Sequence, residues 1–232
     1  MRKEHVILLD SETDITGQVA DVGAIIVDRS GTVVNQFAVL VKGVYDDRIN
    51  HTLFYSDQCG ELWNQSSLER RYSQYDMMLK SGSRMLTSVP AINGWLMRAK
   101  AQYNPILTAY NLPFDVSHCQ QTGIDLTPFT RRFCLWSASV SVFAKTKKYR
   151  QFILDHHLFK PVTKLGNMSY PTNCETMARF ILGDISIPDE PHTSLEDCIG
   201  YELPVLTKLL RRKFLKWLLN EPVPYSWHWL IQ

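Results

Sequence analysis

The sequence predicts an α/β protein in which a mixed five-stranded sheet is flanked by helices, all within a single domain spanning residues 1–232. Three observations predict it. Val6 to Leu9 is a short, uninterrupted apolar run closed by Asp10, the pattern of a strand buried on both faces. Two longer β-rich runs, 19–27 and 33–41, are joined by the turn Asp28-Arg29-Ser30-Gly31, so the chain opens as an antiparallel meander. Helical stripes then precede another short apolar run, Ile106 to Ala109, which begins a β-α unit.

The helices are read from spacing. Leu68, Tyr72, Tyr75 and Leu79 share one helical face, and so do Ile92, Trp95, Leu96, Ala99 and Tyr103 behind Pro90. Phe114 to Gln121 forms the helix after the Ile106 strand. Between residues 130 and 160 the pattern is readable in two ways: Phe133 to Trp136 fits a last strand, and Ala138 to Phe143 fits a helix. Glu175 to Leu182 and Thr193 to Leu219 read as helices, the second kinked near Gly200 and Pro204 because proline removes a backbone donor. Residues 220–232 form a C-terminal tail.

Composition sets the class and leaves function to local features. With 45% hydrophobic and 21% charged residues the chain can bury an ordinary core. Lys plus Arg (25) against Asp plus Glu (23) leaves a net charge of +2, so bulk charge selects neither nucleic acid nor a membrane. Five cysteines (59, 119, 134, 174 and 198), never spaced C-x-x-C, suit a reducing compartment and argue against a zinc site. The apolar run 6–9 is too short for a signal peptide or a membrane span, which leads to the expectation of a cytoplasmic protein without a membrane partner.

Three short segments carry side chains capable of chemistry. Asp10-Ser11-Glu12-Thr13 ends the first strand, and the C-terminal strand edge is where open α/β sheets place ligands. Asn111-Leu112-Pro113-Phe114-Asp115 places another acid just beyond a buried strand, where it can act as a ligand or cap the next helix. His192-Thr193-Ser194-Leu195-Glu196-Asp197 contains a T-x-x-E capping box, with His192 just before the helix and Asp197 in its first turn. Four carboxylates in one cleft repel, and a pair of hard divalent cations is the natural compensation, which points to two-metal phosphoryl chemistry.

D-x-E-T, N-x-x-F-D and H-x-x-x-x-D, in that order, resemble the three motifs of the DEDDh family of 3′-5′ exonucleases, relatives of the bacterial polymerase proofreading subunit, and the layout is similar to that of phage-type members. The resemblance runs from about residue 5 to 210. It implies a ribonuclease-H-like fold and a metal-dependent exonuclease acting on single-stranded 3′ ends, DNA favoured over RNA, with nucleoside 5′-monophosphates as products. It further implies that Asp10, Glu12, Asp115 and Asp197 hold two Mg²⁺ or Mn²⁺ ions, and that His192 is the general base for the attacking water. Thr13 would touch the terminal nucleotide, with Asn111 beside it, and Ile15, in the shifted stretch Asp14-Ile15-Thr16-Gly17, would wedge against its base. In Asp21-Val22-Gly23-Ala24, similar to the family's second strand, Gly23 allows close packing. Residues 50–86 exceed the family's compact core, so the resemblance implies a helical insertion there, read as a lid or interface element or as a packing helix.

Basic residues supply further candidates. Lys208, Arg212 and Lys216 fall on one helix face, and Lys145, Lys147, Lys148 and Arg150 crowd another segment; either group suits phosphates or a solvated surface. Trp227 and Trp229 alternate in the tail, suited to docking on the core or to base stacking. Two other functions fit the same residues. One is a nucleic-acid-binding pseudo-nuclease, and the other is an interaction subunit with a polymerase or a second copy as partner.

Overall fold

A computed structural model of the chain describes residues 4–53, 65–161, 168–212 and 215–219. The tail 220–232, Cys59 and part of the 50–86 insertion lie outside the described residues.

The opening meander is β1 (His5–Thr13), β2 (Val19–Asp28) and β3 (Val33–Val41), antiparallel throughout. The insertion contributes α1 (Gln65–Ser81) and then β4 (Leu86–Thr87), which pairs parallel with β3. Next come α2 (Val89–Tyr103), β5 (Ile106–Ala109), α3 (Leu112–Thr122) and β6 (Arg132–Cys134). Both α2 and α3 end in a left-handed residue, Asn104 and Gly123. The strand order is β4-β3-β2-β1-β5-β6, so the sheet has six strands where five were expected. A two-residue edge strand such as β4 carries no periodicity for a sequence to display.

Segment 130–160 resolves into both readings. β6 stops at Cys134, and α4 (Leu135–Ser139) runs into a π-helical turn over Val140–Ala144. An unanticipated helix, α5 (Lys147–Asp155), follows, capped by the Thr146 hydroxyl, which accepts from the Tyr149 N–H at 3.2 Å. The short hairpin β7 (Lys160–Pro161) and β8 (Met168–Ser169) leads to α6 (Cys174–Leu182). Over the expected helix 193–219 the described residues form α7 (Ser194–Asp197), a π-helical turn over Cys198–Glu202, α8 (Leu203–Arg212) and α9 (Leu215–Leu218), with 213–214 outside the described residues.

β1 lies between β2 and β5 at the middle of the sheet and is apolar on both faces, as its unbroken run predicts. Val6 and Leu8 pack into one core with Phe143, Tyr149, Met177 and Leu206. Ile7 and Leu9 pack into the other with Tyr75, Ile92, Leu96 and Phe129. Because β5 runs parallel to β1, both strands end at the same sheet edge, and α3 starts there. The four described cysteines are free, and among the described residues no helix is long and apolar enough to cross a membrane.

Candidate active site

The end of β1 projects Asp10 and Glu12 from the face that carries Val6 and Leu8, since alternate residues of a strand share a face. They line a cleft of about 240 Å³ together with Tyr110, Asn111, Phe114, Asp115, Glu190, His192, Asp197 and Glu202. Glu12, His192 and Asp197 come closest, offering ligand atoms that all lie within 4.8 Å of one another. Asp115 lies inside the first turn of α3, whose N-cap is Asn111, so capping is not its task. Its carboxylate accepts a 2.7 Å hydrogen bond from the Ser11 hydroxyl and is buried.

Gly23 brings the start of α7 up to β1. It pairs with Asp10 across the β1–β2 ladder, and a Cβ there would stand 2.6 Å from the Leu195 nitrogen and 2.8 Å from Ser194 Oγ. Only a glycine lets α7 lie directly on the sheet beside Asp10. The expected T-x-x-E capping box is replaced by a longer-range arrangement. Thr193 occupies the N-cap position without a side-chain cap bond, and the Ser194 N–H donates to Asp21 Oδ2 at 3.0 Å. Glu196 turns to Arg84, which donates to Glu196 Oε2 at 2.6 Å and to Asp21 Oδ1 at 3.1 Å. The guanidinium offers planar donor edges, one taken by Asp21 and the other by Glu196, so a single buried arginine ties both carboxylates together.

The insertion helix reaches two of the cleft residues, Glu12 and His192. Arg71 of α1 donates to Glu12 Oε2 at 2.8 Å, and the Tyr75 hydroxyl donates to Asp21 Oδ2 at 3.1 Å and to the His192 carbonyl at 3.4 Å. His192 itself has φ of 54°, a left-handed conformation uncommon outside glycine and held here by its neighbours.

Electrostatics follow from burial. Asp10 is held well above the ordinary carboxylate range, first by burial and then by the charges of Glu202, Asp115, Glu12 and Asp197. Burial raises Asp115 to about 7 and Glu12 to about 7, with Arg71 pulling Glu12 back. Asp197 rises to about 9 through burial and then the charges of Glu12 and Glu190. His192 moves the other way: burial, then Arg71, lowers it, so its imidazole is neutral near pH 7 and can accept a proton. Asp197 Oδ1 and Glu202 Oε2, both buried, have no hydrogen-bond partner among the described residues. Oxygen-rich and short of donors, this set suits a hard divalent cation.

Two of the cleft carboxylates, Glu190 and Glu202, were not anticipated. Glu190 carried only one signal, its place two residues before His192. Glu202 lies five residues after Asp197, which in a regular helix would put it about 140° away around the axis. Arg71 gave no signal beyond its place on a helix whose apolar face was recognised.

Of the remaining candidates, Thr13 is buried at the end of β1 and Asn111 lines the cleft. Ile15 is 57% exposed on a loop organised by Asp14, which accepts from the Thr16 and Gln18 N–H groups at 2.9 and 2.8 Å. The insertion holds that loop as well, because the Ile15 N–H donates to the Thr52 carbonyl at 2.8 Å and His51 Nδ1 lies 2.5 Å from Asp14 Oδ2. Lys208 and Arg212 are not brought to the cleft. Lys208 lies with Gly31 and Thr207 around a separate hollow at the β2–β3 turn. Since His5 pairs with Asp28, that turn lies at the start of β1, about 17 Å of strand from Asp10. The Arg212 guanidinium lies 5.3 Å from the centre of the Phe143 ring.

Fold and cleft together define an α/β protein with an acidic site at the edge of a mixed sheet. No protein-family model matches the chain, and no curated protein matches it in sequence. Among solved structures, the nuclease domain of 3'hExo, a DEDDh family member crystallised with rAMP, is similar over 90% of this chain and 93% of that one. The TM-score is 0.51 and the identity 13%. The fold is therefore the ribonuclease-H-like fold of that nuclease domain.

Proposed function

We propose that the protein is a divalent-metal-dependent 3′-5′ exonuclease that removes nucleoside 5′-monophosphates from single-stranded nucleic acid, DNA favoured over RNA. The observation that carries this reading is the convergence of Asp10, Glu12, Asp115 and Asp197 with His192 in one cleft of a ribonuclease-H-like fold. The carboxylates would hold two Mg²⁺ or Mn²⁺ ions, which when bound supply charge to the scissile phosphate and make water a better nucleophile. His192 takes the proton of the attacking water at its ring nitrogen, a role that its unprotonated state near pH 7 and its place beside Glu12 and Asp197 suit. Asn111 and Phe114, exposed on the cleft wall, and Ile15 on the neighbouring loop would steady the terminal nucleotide. That the similar nuclease domain was crystallised with rAMP agrees with a mononucleotide product.

The test is digestion of 5′-labelled single-stranded DNA and RNA with Mg²⁺, with Mn²⁺ and with chelator, each oligonucleotide with a free or a blocked 3′ end. Metal-dependent shortening that stops at the blocked end is expected, faster on DNA. Equal digestion of blocked and free ends would overturn the polarity. Binding without turnover in either metal would leave a pseudo-nuclease in its place.

A further inference from the structure

The implied ligand set has four carboxylates, and the cleft presents another in a position that a regular helix would not provide. Glu202 is 4% exposed and lines the cleft with Asp10, Asp115 and Asp197. One oxygen is committed: Oε1 accepts the backbone N–H of Tyr110, just past β5, at 3.2 Å. The other, Oε2, is buried without a hydrogen-bond partner among the described residues. A buried carboxylate oxygen left in this state costs free energy unless a proton or a metal cation satisfies it.

The backbone explains how Glu202 reaches the cleft. Between Asp197 and α8 the helix widens into a π-helical turn, in which the Leu203 N–H bonds to the Cys198 carbonyl five residues back. Closure at i→i+5 returns residue 202 to the side of residue 197, whereas α-helical winding would carry it about 140° away. Pro204 gives the cause: it has no N–H for the Gly200 carbonyl, and its ring would clash there in an unbroken α-helix. Such single π turns are frequent at functional sites.

We propose that Glu202 is a fifth carboxylate ligand of the cation site, held in place by the Tyr110 N–H and presenting Oε2 beside Asp10. The inference rests on the cation-binding reading above and adds to it a ligand outside the Asp10, Glu12, Asp115 and Asp197 set. Glu202→Gln separates this from a purely structural role, because the amide oxygen still accepts the Tyr110 N–H while the charge is gone. Glu202→Ala removes both.

The experiment is calorimetric titration of Mn²⁺ into wild type, Glu202→Gln and Glu202→Asp with a 5′-mononucleotide present, alongside thermal melts of each protein, and of Glu202→Ala, in chelator. Glu202→Gln should bind Mn²⁺ ~10- to 100-fold more weakly at one site, and melt in chelator at or above the wild-type temperature because one repelling charge is gone. Glu202→Asp should keep both sites with weakened affinity, which carries the test should Glu202→Gln fail to fold. An unchanged isotherm in Glu202→Gln, with only Glu202→Ala destabilised, would overturn the inference alone and leave Glu202 as a bracket for Tyr110. No Mn²⁺ binding by folded wild type would overturn the cation site itself.

Discussion

Arg71 on α1 and Glu12 on β1, 59 residues apart in sequence, meet at 2.8 Å between Arg71 Nη2 and Glu12 Oε2. The arginine is buried, and its partner lies among carboxylates that repel it, so the guanidinium is the cationic counterweight that the folded chain itself supplies. Removing one partner of a buried pair strands the other. Arg71→Ala should therefore lower stability in chelator by about 3 kcal/mol, measured by denaturant unfolding, with Arg71→Lys recovering part of the loss. Mn²⁺ should stabilise Arg71→Ala more than wild type. Equal unfolding midpoints for variant and wild type would show that the pair contributes nothing.

The metal-free protein should lose stability as pH rises. In the folded state Glu12, Asp115 and Glu190 are raised to about 7 and Asp197 to about 9, each chiefly by burial, against roughly 4 in the unfolded chain. The folded state thus retains protons that the unfolded state has released, and stability falls with pH across that interval. The contribution is complete below about pH 4 and is lost as pH passes through the folded values. Melts in chelator from pH 7.5 to 9, above the unfolded-state titration of His192 near 6.5, should show a falling Tm, and saturating Mg²⁺ should flatten the slope. A rising Tm in chelator would contradict the carboxylate cluster.

His192→Ala and Asp197→Asn should each reduce exonuclease turnover by at least ~100-fold without loss of folding. Turnover close to wild type in purified His192→Ala would remove the histidine from the role of base.

Gly23→Ala tests the close approach of α7. A methyl group at Gly23 would meet the Leu195 nitrogen at 2.6 Å and its Cα at 2.9 Å, backbone atoms that cannot rotate aside. Overpacking of this kind costs about 1–3 kcal/mol, and relief by moving α7 would carry His192 and Asp197 away from Asp10. Activity should fall further than the loss of folded protein explains, at a temperature where circular dichroism shows the variant folded. Wild-type activity and Tm would mean that α7 has room to spare.

Local pattern made much of this legible. The meander, the β5–α3 unit and the strand-end and helix-start positions of Asp10, Glu12, Asp115, His192 and Asp197 were readable because a strand's burial, a turn's residues and a helix start are written within a few neighbouring positions. Tyr75 and Leu79 were recognised as core-facing on the same grounds. The role of Arg71 was not, since one turn of helix from Tyr75 its side chain crosses to a strand 59 residues earlier.

The sequence by itself determined the order of strands β1 to β3, the apolar faces and the residue types at the strand edge, all consequences of side-chain period and turn chemistry. Tertiary structure alone decided which distant partners those residues took. Asp21 and Arg84 displaced the local capping box, and Lys208 went to the far end of β1. The π-helical turn changed the phase of the chain after Asp197 and put Glu202 into the cleft. Helical phase extrapolates from a sequence only while the winding is regular, and long-range pairs form only where packing has already placed the backbone.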